Sequence, residues 1–372
     1  MILHLMQDYK PKNGGGVIRN SSLLERICEK GVCISIVNLG MEKKRERNEN
    51  INGVRVVRCC NMFDLLKTAY NEARKNDVKI IHCHNFRFLL FGWLVKVFAC
   101  RKAQIIAEIH ALYRMSFIKE KLAYVLLKNC AAVIVLSNSA KEYLVNERGV
   151  KGELVHVIRN GILPTLLEKD LNSEAYRIIS KARETYLVAA YFGTFYDWQG
   201  VDFLVNTLKL VLEQNSNLFI VMIGDGPRYS ALSEIIQENE VSDRVYISKS
   251  VTKKQLVALY DIVDIILIPR LKNLSTDTAV PLKVVEAMQF SKCILAGSDN
   301  GICEVLNDQN AQLFTSGNQD SFLASLNELT KNEKKRLVLS KHAGVDCNSL
   351  FETWDEEAEK LKSVYNSLCD QK

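Results

Sequence analysis

The chain has 372 residues, of which 48% are hydrophobic and 25% charged, and this composition excludes a disordered, collagenous or low-complexity protein. A chain of this length exceeds the comfortable size of one hydrophobic core, so we expect two domains. Residues 1–165 hold 27 lysines and arginines against 14 aspartates and glutamates, a balance of +13, and the remainder is acidic at −7. The asymmetry predicts an anionic partner for the first half, although a merely soluble basic surface would give the same count.

The N-terminus and the apolar runs indicate a cytoplasmic protein. The longest apolar run, residues 88–95, is followed by Lys96 and falls short of the about 20 residues that a membrane span needs. Asp8 places a charge in the N-terminal stretch before a secretory hydrophobic segment could form. The eleven cysteines show no CxxC motif and no zinc spacing, so we expect reduced thiols, mostly in the core. No nucleic-acid motif accompanies the basic charges, so we expect no nucleic-acid partner.

Short β-branched runs alternate with amphipathic segments along the whole chain, which predicts βαβ units. The first series of predicted strands comprises residues 2–6, 32–38, 54–58, 80–83, 105–109, 133–136 and 155–158. The second series comprises residues 188–192, 218–223, 245–247, 265–269, 293–296 and 311–314. Near-continuous apolar strands of this type are buried on both faces, so each series is expected to form a parallel sheet between helices.

The segment between the two series is polar and contains no predicted strand. We therefore predict a first domain over residues 1–165, a linker over 166–185 and a second domain over 186–349. The last segment, residues 350–372, contains an amphipathic helix with one apolar face, and its periodicity does not reveal where that face packs.

The first distinctive loop is rich in glycine. Gly14, Gly15 and Gly16 follow the first predicted strand and precede a helix. Glycines let the backbone approach a ligand closely, and amides at a helix N-terminus favour negative charge, although a flexible turn would look the same.

Histidines mark two strand ends in the first domain. His82 and His84 share one face of a predicted strand, where they suit hydrogen bonding or, less commonly, a metal ion. His110 comes directly after an apolar strand and begins a loop, so it is better placed for function.

Three loops stand out in the second domain. Gly193-Thr194 and then Trp198-Gln199-Gly200 follow its first strand, and Gly224-Asp225-Gly226-Pro227 follows the second. The third loop runs from Pro269-Arg270 to Pro281-Leu282-Lys283, with Glu286 about one turn further along. A proline in the first helical turn with two cations directed at one place would suit a diphosphate, and the carboxylate would suit ribose hydroxyls.

In order and spacing, these motifs resemble the retaining glycosyltransferases of family 4. The resemblance covers nearly the whole chain and includes residues 157–161 and the helix at 354–365. It implies the GT-B fold, in which two Rossmann-like doubly wound α/β domains with parallel sheets face a cleft and the C-terminal helix crosses back to the first domain.

The sequence departs from the common family pattern at three positions. Thr278 stands where the family has the first of two glutamates, and Thr194 and Gln199 stand where it has Arg and Lys. A subgroup of the family is similar here, with Trp-x-Gly, Pro-Arg and Pro-Leu-Lys motifs. We therefore expect Arg270 and Lys283 to neutralise the leaving diphosphate.

The resemblance implies transfer of a sugar from a nucleotide diphosphate sugar, which we expect to be UDP-linked, without a metal or other cofactor. Catalysis would then be positioning and charge stabilisation. The expected catalytic residues are His110, Arg270 and Lys283, and the expected acceptor-side residues are His84 and Arg19. The expected residues of the nucleotide-sugar site are Gly14, Gly15, Gly16, Gly193, Thr194, Asp225, Val251, Pro281, Leu282, Lys283 and Glu286.

In this family the acceptor belongs to the first domain, which is the basic half of this chain. The excess charge and the aromatic run Phe86, Phe88, Phe91 and Trp93 suggest a glycan or lipid-linked acceptor of a cell-surface polysaccharide, and peripheral contact with an anionic membrane at its inner face. The same aromatic residues at helical spacing would also pack on a sheet.

Two alternatives remain open. A nonhydrolysing sugar-nucleotide epimerase shares the two-Rossmann architecture, but its carboxylate and histidine pattern is not found in this sequence. A non-catalytic subunit that binds a nucleotide sugar within a transferase complex is kept open by the departures at Thr278, Thr194 and Gln199.

Overall fold

The computed structural model describes residues 1–12, 14–40, 46–163, 168–238 and 241–370. The chain divides into two compact units. The first unit is Met1–Gly161 together with Glu352–Lys372, and the second is Ile162–Phe351.

The first unit is built around one eight-stranded sheet. In chain order its elements are β1 (Ile2–Met6), α1 (Gly15–Glu29), β2 (Ile34–Asn38), β3 (Asn48–Ile51), β4 (Val54–Arg58), α2 (Met62–Lys75), β5 (Ile80–His84), α3 (Phe86–Ala99), β6 (Gln104–Ile109), α4 (Phe117–Lys128), β7 (Ala132–Val135), α5 (Asn138–Glu142) and β8 (Val155–Val157). The strand order is β3-β4-β2-β1-β5-β6-β7-β8. Every neighbouring pair is parallel except β3 and β4, so the sheet is doubly wound from β1 outward in both directions.

The edge strand β3 was not predicted from the sequence, and it makes the sheet mixed rather than purely parallel. Its four residues are all polar except Ile51, and their burial alternates between exposed and half-buried. An edge strand with one solvated face needs no apolar run, so hydrophobic periodicity cannot detect it.

The second unit contains a six-stranded sheet. Its elements are α6 (Glu174–Arg183), β9 (Leu187–Phe192), α7 (Val201–Gln214), β10 (Leu218–Ile223), α8 (Tyr229–Glu238), β11 (Val245–Ser248), α9 (Lys253–Ile262), β12 (Ile265–Ile268), α10 (Leu274–Asp277), α11 (Leu282–Gln289), β13 (Cys293–Gly297), α12 (Asn300–Cys303), β14 (Gln312–Phe314), α13 (Gln319–Lys331) and α14 (Glu333–Leu350). The order is β11-β10-β9-β12-β13-β14 with all pairs parallel, as predicted. Apolar clusters pack on both faces of this sheet.

The predicted linker over 166–185 is wrong for its described part, because α6 occupies residues 174–183. Ser173 caps this helix by accepting a hydrogen bond from the amide of Tyr176. Ala175 and Ile179 are buried in the core of the second unit. Tyr176, Ile178 and Ala182 are partly buried and pack against the same core, and the other side chains of α6 are charged or polar. The polar residues within and before this helix masked its amphipathic pattern.

The last helix, α15 (Trp354–Cys369), belongs to the first unit, as the resemblance implies. Thr353 and Glu356 form a capping box at its start, and its apolar face packs beside α1. Gly161 admits this helix, because a Cβ atom there would lie 2.6 Å from the backbone nitrogen of Trp354.

All eleven cysteines lie among the described residues and are free thiols, as expected. Cys130 and Cys293 are buried, but Cys33, which was expected in the core, is exposed. Within the described ranges, we find no helix that is both long and apolar enough to cross a lipid bilayer.

Candidate functional sites

In the second sheet, the strand order reverses direction between β9 and β12. The loops that follow these two strands therefore diverge and leave a crevice at the carboxyl edge, which is where doubly wound sheets bind ligands. The first loop carries Gly193, and the second carries Arg270 and leads into α11 with Lys283. We call Tyr191, Gly193, Arg270, Lys283 and Glu286 the Lys283 cluster.

The ammonium group of Lys283 lies over the ring of Tyr191. Its Nζ is 4.2 Å from the ring centroid and donates a hydrogen bond to the Tyr191 hydroxyl at 3.1 Å. That hydroxyl in turn donates to the carbonyl oxygen of Thr194 at 2.7 Å. Burial, and then the positive charge of Arg270, lower the pKa of Lys283 to about 7. An anionic ligand at this position would restore the charge of the lysine.

Gly193 leaves the space that Lys283 occupies. Its φ of +153° suits glycine, and a Cβ atom there would lie 2.9 Å from Lys283 Nζ. The neighbouring loop is equally tight, because a Cβ atom on Gly224 would lie 1.7 Å from the Gly193 carbonyl oxygen. Glycines at both positions therefore hold the two loops together beside the lysine.

Glu286 lies one turn along α11 from Lys283. Burial raises the pKa of its carboxyl group to about 7, although Lys253, Tyr260 and Lys283 oppose the shift. The hydroxyl of Tyr260 donates to Oε2 of Glu286 at 3.4 Å. A carboxyl group of this kind can accept or donate hydrogen bonds near neutral pH, which suits a pair of ribose hydroxyls.

Arg270 is a buried residue, with 3% of its surface exposed. Its Nη1 donates to the carbonyl oxygen of Ala279 at 3.0 Å and lies 3.7 Å from a carboxylate oxygen of Asp299. Within the part of the chain that the structure describes, its Nε is buried without a hydrogen-bond partner. Burial raises the pKa of Asp299 to about 6 despite the arginine. Arg270 therefore lies inside the protein, from where its charge acts on Lys283.

The helix α11 begins one residue later than predicted. Pro281 is its N-cap residue, with extended backbone at φ −75° and ψ 146°, and no side chain caps the helix. Leu282 and Lys283 then occupy the first turn, so the uncapped amides and the lysine lie at the same helix end.

Two of the three departures from the family pattern, Thr278 and Thr194, have hydrogen-bond partners in the structure. Thr278 is buried, and its hydroxyl donates to the Leu274 carbonyl oxygen at 2.6 Å at the end of the short helix α10. The carbonyl of Thr194 accepts from Tyr191. Gln199 is half-buried, and its side-chain oxygen has no hydrogen-bond partner within the described ranges.

Two further residues expected at the donor site, Asp225 and Val251, lie in the loops after β10 and β11. The Asp225 carbonyl accepts from the amide of Phe195 at 2.9 Å, which joins the loops after β9 and β10. The Asp225 carboxylate is exposed and accepts from the amide of Gly226. Val251 is half-buried and packs against the core on one face of the sheet.

The first sheet has its own reversal of strand order, between β1 and β5. The parallel register pairs His4 with His82 and His84 with Glu108, so these side chains share one face of the sheet. Nδ1 of His4 lies 3.0 Å from Nε2 of His84, and Nδ1 of His84 lies 3.2 Å from Nε2 of His110. We call these four histidines and Glu108 the histidine cluster.

Glu108 is the centre of the histidine cluster and is 1% exposed. Its Oε1 accepts from Nε of Arg19 at 2.7 Å and lies 3.2 Å from Nε2 of His110. Its Oε2 lies 3.1 Å from Nε2 of His82. Burial alone would raise the pKa of Glu108, but Arg19 and the histidines outweigh burial and hold that pKa well below its usual range.

The ionised carboxylate selects the tautomer of His110. Because a carboxylate only accepts hydrogen bonds, the proton of a neutral His110 belongs on Nε2, and Nδ1 is left as an acceptor. A Cβ atom on Gly16 would lie 3.5 Å from that Nδ1, so the acceptor faces the first turn of α1. The side chain of His110 is 17% exposed and is more accessible than those of His82 and His84, which also lie beside Glu108.

Of the glycines expected at the site, Gly14 is the N-cap residue of α1, and Gly15 and Gly16 form its first turn. Space for a Cβ atom is open at Gly14 and Gly15, so these two positions leave room beside the backbone. Asn13 lies outside the described residues.

The histidine cluster contains two sets of three side chains whose ligand atoms lie close enough for a metal ion, within 4.8 Å of one another. In the first set, the rings of His82 and His84 stack with an interplanar angle of 9° and centroids 4.6 Å apart. Lone pairs of ring nitrogens lie in the ring planes, and two stacked planes do not converge on one ion. In the second set, Arg19 already neutralises Glu108. The geometry therefore fits hydrogen bonding better than metal binding.

Arg19 and His84 were expected to face the acceptor, but the structure buries both, at 1% and 2% exposure. Arg19 instead pairs with Glu108, and its Nη1 donates to the carbonyl oxygen of Arg159 at 2.7 Å. A hydrogen bond between a guanidinium and a carboxylate is stronger than one between neutral groups, and here it holds the Arg19 side chain inside the unit. Both residues therefore support His110 rather than contact a ligand.

Sequence reasoning missed Glu108, Tyr191 and the buried Tyr365, whose hydroxyl lies 2.8 Å from Nδ1 of His82. Glu108 had a usable signal, because a charged residue two positions before His110 on an apolar strand shares its face. Tyr191 likewise lies two residues before Gly193, inside a predicted buried strand.

Two family models match the chain in series. Residues 13–165 match Glycosyltransferase Family 4, and residues 172–344 match Glycosyl transferases group 1. These matches support a family 4-type glycosyltransferase.

One curated relative of this chain is the phosphatidylinositol N-acetylglucosaminyltransferase gpi3 subunit of Schizosaccharomyces pombe, at 22% identity over 83% of this chain and 65% of that protein. The chain thus spans just under two thirds of that relative. Among solved structures, sucrose-phosphate synthase from Thermosynechococcus elongatus has a TM-score of 0.79 at 16% identity, over 99% of this chain and 98% of the other. Anabaena HepE in complex with UDP and glucose has a TM-score of 0.77 at 17% identity, over 98% and 99%. These likenesses show the GT-B fold.

Proposed function

We propose that the protein is a retaining glycosyltransferase that moves a sugar from a UDP-linked donor to a glycan or lipid-linked acceptor in cell-surface polysaccharide biosynthesis. The observation that carries this proposal is the Lys283 cluster at the strand-order reversal of the second sheet. There, a lysine with a lowered pKa, a carboxyl group with a raised pKa and an uncapped helix start lie within one helical turn of each other.

Each part of the Lys283 cluster has a role toward a nucleoside diphosphate. Lys283 and the first amides of α11 bind the diphosphate, and their charge stabilises the negative charge that develops as the sugar departs. Glu286 binds the ribose hydroxyls. Arg270 has a positioning role: its buried charge lowers the pKa of Lys283, so an anionic ligand favours the charged form of the lysine. That HepE was solved with UDP and glucose supports a UDP-sugar for this chain.

In the first unit, we assign His110 to a hydroxyl of the sugar or to the forming oxocarbenium. Glu108 holds the imidazole in one tautomer, so its acceptor nitrogen is available without a rearrangement. The reaction needs no metal in this scheme, because the lysine and helix amides supply the positive charge that a metal would supply elsewhere.

The acceptor class rests on two supports. The basic balance of +13 falls in the first 165 residues, and the named relative is a phosphatidylinositol N-acetylglucosaminyltransferase subunit. We therefore propose a lipid-linked acceptor, with the protein in the cytoplasm and in peripheral contact with the inner face of a membrane.

Thermal unfolding in the presence of nucleotide sugars tests the donor site. A UDP-sugar should raise the melting temperature, with or without EDTA, because a ligand that binds only the folded state stabilises it. Lys283→Met should abolish the shift, and Lys334→Met, which changes an exposed lysine of the same unit, should keep it. A shift that EDTA removes would contradict metal independence, and no shift with any nucleotide sugar at millimolar concentration would contradict the donor site.

Retention is tested on the product. The coupling constant of the anomeric proton in the product of an α-linked donor should show an α linkage, and a β linkage would contradict retention.

A non-catalytic subunit is the second candidate, and the specific observation in its favour is Thr278 in place of a family glutamate. This candidate predicts donor binding without transfer to any acceptor or water. Loss of transfer in Glu286→Gln, with folding and the melting curve intact, would instead support catalysis by this chain.

A further inference from the structure

The helices α3 and α4 cover the face of the first sheet that lies opposite the histidine cluster. Cys83 lies between His82 and His84 on β5, so its side chain points to the other face. A Cβ atom on Gly92 of α3 would lie 2.2 Å from Cys83 Sγ, which places α3 on that face. Helix α4 packs beside α3.

The outer stripe of α4 is apolar and basic. Phe117 and Ile118 are 81% and 79% exposed, and Leu122 and Val125 are exposed by about half. With Lys121 and Lys128, these positions fall within an arc of about 140° around the helix axis. The opposite arc carries the buried residues of the helix, Ala123, Tyr124 and Leu127.

Helix α3, which packs beside α4, also exposes apolar side chains. Leu90, Val97 and Phe98 are exposed by two fifths to two thirds and lie on one side of α3. Soluble monomers rarely expose contiguous apolar patches of this kind without a partner. We call the exposed side chains of these two helices the α3–α4 surface.

No free acidic side chain offsets the basic residues of this segment. Residues 86–130 contain eight lysines and arginines and two glutamates. One of the glutamates, Glu108, is buried with Arg19, and the other, Glu120, is paired with Arg148 at 2.6 Å. The basic residues are Arg87, Lys96, Arg101, Lys102, Arg114, Lys119, Lys121 and Lys128.

We propose that the α3–α4 surface binds the surface of an anionic lipid bilayer. Exposed apolar side chains flanked by lysines and arginines, without free acids, are the composition that interfacial helices use, with the apolar groups below the headgroups and the cations on them. The choice of a membrane rests on the proposed function, because a lipid-linked acceptor lies in a membrane. Vesicle binding can nevertheless be tested separately, since the assay involves no sugar transfer.

The assignment differs from the one expected from the aromatic run. Phe86 and Phe88 are buried against the sheet. The side chains proposed to face the membrane are instead those of the α3–α4 surface. Helical periodicity, rather than aromatic content, decides which side chains of a helix face outward.

Co-sedimentation of the full chain with vesicles tests the proposal. The protein should pellet with vesicles that contain 30 mol% phosphatidylglycerol in phosphatidylcholine, and binding should weaken in pure phosphatidylcholine and in high salt. Lys121→Gln with Lys128→Gln should weaken binding by about fivefold for each lysine. Ile118→Ser with Leu122→Ser should also weaken binding, by a factor that stays the same as salt rises because the apolar contribution is not screened, whereas the effect of the lysine substitutions should shrink.

A matched control in the second unit separates this surface from general charge and hydrophobicity. Leu337 is 63% exposed on α14, and Lys334 is exposed beside it. Leu337→Ser with Lys334→Gln should leave vesicle binding unchanged. In every variant, the melting temperature without ligand and its rise with a UDP-sugar should match those of the wild type, which shows that folding and the donor site are intact.

Equal vesicle binding by the wild type and both α4 variants would overturn the proposal, as would the absence of binding to anionic vesicles. Self-association in sedimentation velocity without lipid, lost in Ile118→Ser with Leu122→Ser, would also overturn it and assign the surface to a second copy of the chain. A protein that binds vesicles but no nucleotide sugar would keep this proposal and refute the proposed function.

Discussion

Acid should destabilise the first unit through His4 and His84. Burial is the main reason that the pKa of each imidazole lies well below the ordinary 6.5. In the unfolded chain both rings titrate near 6.5. As the pH falls through that value, the unfolded state takes up protons that the folded state does not, so the free energy of unfolding decreases.

The size of the effect follows from this difference in proton uptake. Between about pH 7.5 and 5.5, each ring that stays neutral in the folded state lowers the free energy of unfolding by about 1.4 kcal/mol. Two rings give about 2.7 kcal/mol. Glu108 adds nothing in this window, because a lowered carboxyl pKa contributes stability that is lost only as the pH falls below the ordinary carboxyl range, near 4.5.

Urea unfolding at the two pH values measures the effect. In a Trp198→Phe background the remaining tryptophans, Trp93 and Trp354, both lie in the first unit and report on it alone. His4→Gln removes one titrating ring and should reduce the pH dependence by about 1.4 kcal/mol. His342→Gln removes an exposed histidine of the second unit and should leave the pH dependence unchanged.

The same pH dependence in the wild type and in His4→Gln would refute the reasoning. It would mean that the His4 ring is protonated inside the folded protein, with Glu108 as its counter-charge, since that carboxylate is the group that favours the charged form of His4.

Three further predictions concern the two clusters. Gly193→Ala places a methyl group 2.9 Å from Lys283 Nζ at a φ of +153°, so it should destabilise the second unit by about 1–2 kcal/mol in urea unfolding and abolish the melting shift with UDP-sugar. Arg19→Met leaves the buried Glu108 without its cation and should cost about 3–5 kcal/mol, whereas Arg19→Met with Glu108→Leu should be more stable than the single variant; equal stability would show that the histidines suffice. The affinity for a UDP-sugar, measured by calorimetry, should fall by up to tenfold per pH unit above about pH 7, because binding requires the charged form of Lys283, and this pH dependence should be absent in Lys283→Met.

The sheets could be predicted from the sequence because their strands are buried on both faces. Residues 2–6 and 218–223 were bounded correctly as β1 and β10, since each is a continuous apolar run ended by polar or glycine residues. Polar β3 could not be predicted in this way, because its stability comes from pairing at an edge. Helix α6 was missed because its apolar residues alternate with charged ones in a segment that begins with a polar stretch.

The histidine cluster shows where strand reasoning stops. Alternation along β5 places His82 and His84 on one face, and alternation along β6 places Glu108 and His110 on one face. Their meeting depends on the register that pairs His84 with Glu108, which no single-strand pattern contains. The same pairing places the Glu108 carboxylate inside the unit, where the buried charge of Arg19 balances it.

The donor site shows a different limit. The sequence identified two cations, Arg270 and Lys283. It could not distinguish the residue proposed to contact the anion, Lys283, from the buried residue whose charge acts on that lysine, Arg270. Nη1 of Arg270 donates to the Ala279 carbonyl oxygen and the residue is buried, whereas Nζ of Lys283 donates to the neutral hydroxyl of Tyr191 and lies over its ring. In the proposed donor site, a diphosphate would favour the charged form of Lys283, and the buried charge of Arg270 would add to the positive potential that the diphosphate meets. In the proposed function, Lys283 and the first amides of α11 therefore take the place of the arginine and lysine that the family has at Thr194 and Gln199.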